Sequence, residues 1–294
     1  MNSIAPGKKQ NRMRRGALLT FLLLFLFIAG CLPQPESGQV PGITAVGGST
    51  PAPVSPAGWW QPAVGLTWQI QLSEPEVDTS VDANVFEVDL YVDQSVIDAL
   101  HAKGSRVVCY VSVGSYEDWR PDAAQFPAEL LGKDYEGWPG EKWLDIRQID
   151  KLAPILRARL DLCKTKGFDA LEPDNLESYT NDTGFPLTYA DQLRFALWLA
   201  EEAHARGLAI AQKNAPDQAG DLAGLYDFAV IEDAFYYDWA DEMSVYIQAG
   251  KPVFAVEYTD LEWNFMDYCR ASRKLGFSLI LKHRELDNWL KTCP

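Results

Sequence analysis

Histidine is nearly absent from this chain of 294 residues: there are three, His101, His204 and His283. The first two fall inside helix-patterned sequence and the third beside the last apolar run. Neither a histidine-rich metal site nor a Ser-His-Asp triad therefore has its parts. No phosphate-cradling glycine loop and no dinucleotide fingerprint occurs, so the sequence calls for no cofactor and no metal. Basic residues are also scarce, with 26 Lys and Arg against 41 Asp and Glu and a formal net charge of −15. Nucleic-acid phosphates would be repelled by such a chain, which excludes nucleic acid as a partner. Long apolar runs are missing except near the N-terminus, and the run there, residues 17–29, is short for a membrane span.

That run follows Lys8, Lys9, Arg12, Arg14 and Arg15 with no acidic residue between them, the layout of a signal peptide. It ends in Ile28, Ala29, Gly30 and Cys31, which resembles the lipobox of bacterial lipoproteins. The resemblance implies cleavage before Cys31 and lipid attachment to its sulfur; an uncleaved signal anchor is the alternative. The next stretch, to residue 58, carries Pro33, Pro35, Pro41, Pro51, Pro53 and Pro56 among Gly, Ser, Thr and Gln. With so little apolar surface to bury, it is expected to be an extended, mobile tether. The expected organisation is a signal peptide over 1–30, a lipidated cysteine and tether over 31–58, and a folded domain over 59–294. Such a protein is exported and lipid-anchored to a bacterial membrane, with its domain on the extracytoplasmic side. Removing the leader's five basic residues leaves 21 basic against 41 acidic residues, a balance of about −20. Nothing in the sequence requires an oligomer, and a monomer is expected.

Four further cysteines remain, Cys109, Cys163, Cys269 and Cys293. An even number in an exported chain suggests two disulfides. Three pairings are open. One ties Cys269 to Cys293 and leaves Cys109 for Cys163; reduced core cysteines are the alternative.

Within 59–294, eight short runs rich in apolar residues recur, over 66–72, 85–92, 106–113, 168–174, 208–213, 227–232, 252–258 and 278–282. Their β-branched and aromatic content fits strands covered on both faces. Helical patterns lie between several of them, over 94–103, 147–166, 189–206, 239–249 and 261–275, while 73–84 is too short and acidic for a helix. Gly104, Gly167, Gly207, Gly250 and Gly276 stand where a helix ends before the next strand. Strand alternating with helix eight times implies an α/β fold, a single (β/α)8 TIM barrel. An open doubly wound sheet is the competing architecture, but it does not call for eight units.

Polar residues in these runs gather at their C-terminal ends: Gln69, Gln71, Glu87, Asp89, Ser112, Glu172, Asp174, Lys213, Asn214, Glu232, Asp233, Glu257 and Lys282. In a barrel that rim is where active sites are built. Many carboxylates, some amides and almost no histidine form the inventory of glycoside hydrolysis, which needs two carboxyl groups flanking the scissile bond. Aromatics follow the third run (Tyr116, Trp119, Phe126, Tyr135, Trp138, Trp143) and the sixth (Phe235, Tyr236, Tyr237, Trp239). Flat rings on rim loops suit sugar faces, and about half of them are expected merely to close the barrel top.

Several of these segments together carry a family resemblance. They are Trp68 to Leu72, Val88 to Leu90, Cys109 to Ser115, Gly140 to Arg147, Gly167 to Asn175, Gln212 to Asn214, Ala229 to Glu232 and Val253 to Tyr258. In that order they resemble glycoside hydrolase family 114, the endo-α-1,4-polygalactosaminidase family, over nearly all of 59–258. The resemblance implies Asp174 and Glu232 as the catalytic pair; which is the acid is not readable from the sequence, and the expectation adopted is Asp174 as nucleophile or base and Glu232 as general acid. It further implies that Asp89, Tyr110, Asn175, Lys213, Asn214, Glu257 and Tyr258 line the substrate site; for each, a rim ion pair or packing contact is the plainer reading. The chain departs from the family pattern after Glu232, where residues 232–240 lack the two cysteines often found there. The implied substrate is an exopolysaccharide rich in α-1,4-linked galactosamine, a polycation where it is partly de-N-acetylated. A surface protein that binds glycan without cutting it, or a hydrolase of this fold acting on a neutral glycan, are the rival expectations.

Overall fold

The computed structural model describes residues 58–73, 76–261 and 264–294. The expected signal peptide, Cys31 and all of the expected tether except Gly58 lie outside the described residues.

The fold is a (β/α)8 barrel. Its strands are β1 (Trp68–Gln71), β2 (Val85–Asp89), β3 (Arg106–Ser112), β4 (Ala170–Asp174), β5 (Ala209–Lys213), β6 (Phe228–Glu232), β7 (Val253–Tyr258) and β8 (Ser278–Lys282). Each pairs in parallel with the next in chain order. At the seam β8 meets β1 through side chains. Trp68 Nε1 donates to Ser278 O (2.9 Å), Ser278 Oγ to Leu66 O (2.7 Å) and Lys282 Nζ to Gln69 Oε1 (3.1 Å). The chain end, Lys291–Thr292, adds an antiparallel strand to β8.

Two apolar layers hold the barrel. Alternate residues of the strands, including Val85, Val108, Ala170, Ala211, Val230 and Val256, fill its interior. The intervening residues pack outward against the helices, with Val107, Leu171, Ile210 and Ile231 among them. This is the period-two pattern of a doubly covered sheet. The helices are α1 (Gln94–Ala102), α2 (Ile149–Lys166), α3 (Tyr189–Ala205), α4 (Ala219–Leu222), α5 (Ser244–Gln248) and α6 (Phe265–Leu275). Local chemistry sets their ends. Thr188 and Asp191 form a reciprocal capping box on α3. Gly167 and Gly276 close α2 and α6 in the left-handed region, at φ 89° and 79°. The 239–249 pattern is split into a 3-10 turn, Ala240–Met243, and the short α5. No helix is present among the described residues between β1 and β2.

The long segment after β3 is not a plain loop. It folds into a three-stranded antiparallel sheet of Ser115–Glu117, Glu141–Leu144 and Leu131–Asp134, with Glu141–Leu144 in the middle. Cys109 is bonded to Cys163, which ties β3 to α2, and Cys269 to Cys293, which ties α6 to the chain end.

The chain enters at the opposite pole of the barrel from the strand C-termini. Trp59 Nε1 and Gln61 Nε2 both donate to Asp227 Oδ1, at the start of β6 (3.0 and 3.2 Å). Trp59 also stacks on His204, with ring centroids 3.9 Å apart.

Candidate active site

Above the apolar interior layer, the same inward-facing positions turn ionisable. On β2 Val85 gives way to Glu87, on β4 Ala170 to Glu172 and Asp174, on β5 Ala211 to Lys213, and on β6 Val230 to Glu232. Two residues further along a strand is the same face, so a polar residue at the strand end inherits the inward direction of the apolar one below.

Lys213 is the hub. Its side chain is 4% exposed, and Nζ lies 2.9 Å from Asp174 Oδ1, 3.1 Å from Glu172 Oε1 and 3.3 Å from Glu232 Oε2. Burial alone would drive a proton off this amine, but Asp174, Glu172 and Glu232 outweigh it and hold the ammonium form well above the ordinary lysine range. Asp174 is bound on both oxygens. Its Oδ1 accepts from Lys213 Nζ and from the Asn175 N–H (2.8 Å), and its Oδ2 accepts from the Tyr110 hydroxyl (2.9 Å). Burial pushes this carboxyl up, yet Lys213 and the two further donors prevail and keep it below the usual range. Asp174 is therefore a carboxylate at neutral pH.

Glu232 faces it from β6. Tyr258 donates its hydroxyl to Glu232 Oε1. Arg284 lies over the Tyr258 ring at 3.9 Å and pairs with Asp233 at 2.7 Å, which fixes the ring's position. The Glu232 N–H donates to Asn214 Oδ1 (2.9 Å). Beneath these groups sit Glu172 and Glu87, both fully buried. Burial raises Glu172 to about 8, with Lys213 opposing and Asp174 reinforcing. Glu87 is raised well above its ordinary value by burial and then by Glu172. Lys213 is near enough to Glu172 for an ion pair but not aligned for a hydrogen bond; both Glu172 oxygens lack a hydrogen-bond partner among the described residues. Burial thus favours the neutral form of both acids beneath the Lys213 ammonium.

The backbone is bent at each working strand end. Asn175, Asn214, Ala215 and Asp233, which follow β4, β5 and β6 directly, all have positive φ (64°, 44°, 51° and 54°). Asn and Asp tolerate the left-handed region best among residues with a side chain, and such strain concentrates at functional sites. Further contacts hold these corners. Asn175 Nδ2 donates to Ser112 Oγ and Ser115 Oγ (3.0 and 3.1 Å), and Gln212 Nε2 donates to the Asn214 and Ala215 carbonyls (2.8 and 2.9 Å). Gly114 passes so close beneath Asn175 that a Cβ there would lie 1.9 Å from the Asn175 carbonyl oxygen.

The structure brings Asp174, Glu232, Lys213, Tyr110 and Tyr258 together, with Asn175 and Asn214 as their backbone corners. Two expected site residues stand apart. Glu257 is next to Tyr258 on β7 and so faces the other side of the sheet, where its oxygens accept the Phe235 and Tyr236 N–H groups (2.8 and 3.3 Å). It shapes the loop after β6 and does not line the mouth. Asp89 is engaged by Arg120 at 2.7 Å, and Arg120 also binds Glu117 at 2.8 Å. Three more residues join the neighbourhood, two that the sequence did not single out, Glu177 and Arg284, and Tyr135, which it named only among the loop aromatics. Burial and then Asp174 raise Glu177 to about 7. Tyr135, just past the strand Leu131–Asp134, packs tilted against Trp143 with centroids 4.4 Å apart, and burial and then the charge of Asp174 raise its hydroxyl. Arg284 is the third. All three lie in connections, where no periodicity announces them. Among the described residues no group of three or more His, Cys, Asp or Glu side chains is arranged for a metal ion.

A buried ammonium bridging two carboxylates at the ends of β4 and β6 is a glycosidase-like arrangement, and comparison with known proteins gives it a family. The model of glycoside-hydrolase family GH114 matches residues 49–294. The chain belongs to glycoside hydrolase family GH114. This GH114 chain is similar to Ega3 of Aspergillus fumigatus, solved in complex with galactosamine, at 41% identity and a TM-score of 0.75, covering 80% of this chain and 97% of that one. The glycoside hydrolase domain of PelA from Pseudomonas aeruginosa shares the fold at 17% identity and a TM-score of 0.62, covering 78% and 99%. An uncharacterised protein of Deinococcus radiodurans is 25% identical over 215 residues, 66% of this GH114 chain and 69% of its own length.

Proposed function

We propose that this glycoside hydrolase is endo-acting and cuts an α-1,4-linked galactosamine-containing polymer, with Asp174 as nucleophile and Glu232 as acid and base. One observation carries the reading: Asp174 and Glu232 share the ammonium of Lys213. Because Lys213 Nζ is 2.9 Å from one and 3.3 Å from the other, their nearest oxygens are at most roughly 6 Å apart. That limit falls short of the roughly 6.5–9.5 Å gap that admits a water in inverting enzymes and is compatible with the retaining geometry.

In the first step an Asp174 oxygen bonds to the anomeric carbon as the glycosidic C–O bond breaks, and Glu232 gives its proton to the departing oxygen. In the second, water attacks the same carbon, loses its proton to Glu232 and releases Asp174. Lys213, the Asn175 N–H and Tyr110 keep Asp174 ionised for the first step. Tyr258, held by Arg284, orients Glu232. The amino-sugar substrate is supported by the likeness to Ega3 and by an acidic chain that would attract a polycation.

The protein is further proposed to be exported and held to a bacterial membrane through Cys31. The lipobox-like Ile28 to Cys31 and the cysteine pairs, which need an oxidising compartment, support this. Incubation with partly de-N-acetylated α-1,4-galactosamine polymer, followed by mass spectrometry, tests the reaction. Short oligomers from the wild type but not from Asp174→Asn are expected; oligomers from both would remove Asp174 from the chemistry, and none from either would point to another glycan.

A further inference from the structure

The aromatic residues of the segment after β3 divide sharply in the fold. Phe126 and Trp143 are buried, and Tyr116 is packed against Phe126. Trp119 and Trp138 are 51% and 46% exposed, unusual for indoles. They lie in two different connections at the same end of the small antiparallel sheet, Trp119 just after the strand Ser115–Glu117 and Trp138 in the turn between Leu131–Asp134 and Glu141–Leu144. Glu117 pairs with Glu141, and one step further the Asp118 N–H donates to the Gly140 carbonyl at 3.1 Å. Trp119 follows Asp118 directly, and Trp138 is two residues before Gly140, held in a tight turn by its N–H to the Tyr135 carbonyl (3.2 Å).

The other end of this sheet is rooted in the catalytic corner. Ser115 Oγ takes a hydrogen bond from Asn175 Nδ2 (3.1 Å), the residue after Asp174, and donates to Glu141 Oε2 (2.9 Å). From Ser115 to Glu117 the strand rises by roughly 3.3 Å per residue and Trp119 follows in the turn beyond it, so a few sugar rings would span the path. Tyr135 lies at the same hairpin, its N–H donating to the Glu141 carbonyl (2.9 Å). Exposed Asp118 and Glu136 flank the two indoles, and neither is ion-paired among the described residues. Lys133 and Lys142 nearby are occupied by Asp182 and Asp134.

We propose that Trp119 and Trp138 form a distal binding platform for the same polymer chain whose scissile bond lies at Asp174 and Glu232. The indole faces take the C–H faces of successive hexosamine rings, and Asp118 and Glu136 take their ammonium groups. A continuous polymer is the fitting occupant because the platform and the catalytic mouth are two ends of one small sheet. The platform makes cleavage favour long chains over short ones.

This inference rests on the polymer-cleaving reading, so the test separates the two. kcat/KM is measured on long, partly de-N-acetylated α-1,4-galactosamine polymer and on an oligomer that fills only the catalytic mouth. The proteins are the wild type, Trp119→Ala/Trp138→Ala, and Leu225→Ala as an exposed apolar control elsewhere. The ratio of long to short is expected to fall about tenfold in the double variant, for the loss of two ring faces, and to stay at the wild-type value in Leu225→Ala. An unchanged ratio in a double variant that melts with the wild type overturns the platform. If the wild type cleaves neither substrate, the polymer reading has failed, and affinity electrophoresis through cationic and neutral polysaccharide gels judges the platform alone. Retardation of the wild type that the double variant loses then supports it, and equal mobility in every gel overturns it.

Discussion

Replacing Lys213 with Met removes the charge at the centre of the site while keeping a long apolar stem of similar volume, so packing changes little. The ammonium touches three carboxyl groups, at 2.9, 3.1 and 3.3 Å, from a side chain that is 4% exposed. Taking one partner from a buried ion pair costs about 3–5 kcal/mol, which in a domain of this size lowers Tm by about 10 °C. The kinetic consequence is the sharper one. Lys213 is the chief group holding Asp174 below the ordinary carboxylate range against burial. Without it the carboxyl rises, and removal of a contacting opposite charge is worth about one to three pKa units. The acid limb of the kcat/KM profile, where Asp174 must be ionised, should therefore move to higher pH. The linkage has the same sign: in the wild type the depressed carboxyl stabilises the fold above its ordinary value, and that contribution is lost as pH falls through the folded value. In the variant this loss begins at higher pH. Thermal melts and a pH-rate profile on the galactosamine polymer measure both. A variant with an unmoved acid limb and a Tm within about 2 °C of wild type would refute the bridging role.

Three other outcomes are expected. Glu172 sits at about 8 in the fold, so the native state keeps a proton that the unfolded chain has released, and stability falls as pH rises from about 4.5 to about 8. Glu172→Gln should flatten the decline in Tm between those values, and parallel wild-type and variant curves would contradict it. In Gly114→Ala, the added Cβ meets the Asn175 carbonyl oxygen at 1.9 Å; backbone shift should cost about 2 kcal/mol and lower kcat by displacing Asp174, whereas unchanged melting and turnover would mean the corner is not tightly held. Cys269→Ser/Cys293→Ser opens a link across 24 residues, worth about 3 kcal/mol of unfolded-state entropy, and an identical Tm would show the pair is not bonded.

The barrel was legible because its strands are short apolar runs, a pattern that parallel strands covered on both faces produce, with polar residues gathered toward their C-terminal ends. Glu172 and Asp174 stood out among the polar residues at the C-terminal ends of the runs. The same alternation explains the failure at Glu257: neighbours on a strand face opposite ways, so Glu257 and Tyr258 cannot both reach the mouth. Adjacent residues do share a site at Asp174–Asn175 and Lys213–Asn214, but only because the chain leaves the strand there through a left-handed turn. Arg284 and Glu177 stayed hidden because they reach the site from connections, and closure of the barrel alone brings them there. The small sheet after β3 escaped notice for a similar reason. Its strands are three or four residues long, below the length at which alternation can be recognised.

The central claim is that Asp174 and Glu232 work as a close pair through a glycosyl-enzyme ester. The most direct test is proton NMR of the reducing end formed in the first minutes of polymer digestion, before mutarotation. Two carboxyl groups sharing one ammonium predict that the new anomeric centre is first released as α, the configuration of the bond that was cut. Initial release as β would mean that water, not Asp174, attacks the anomeric carbon, and would contradict the account.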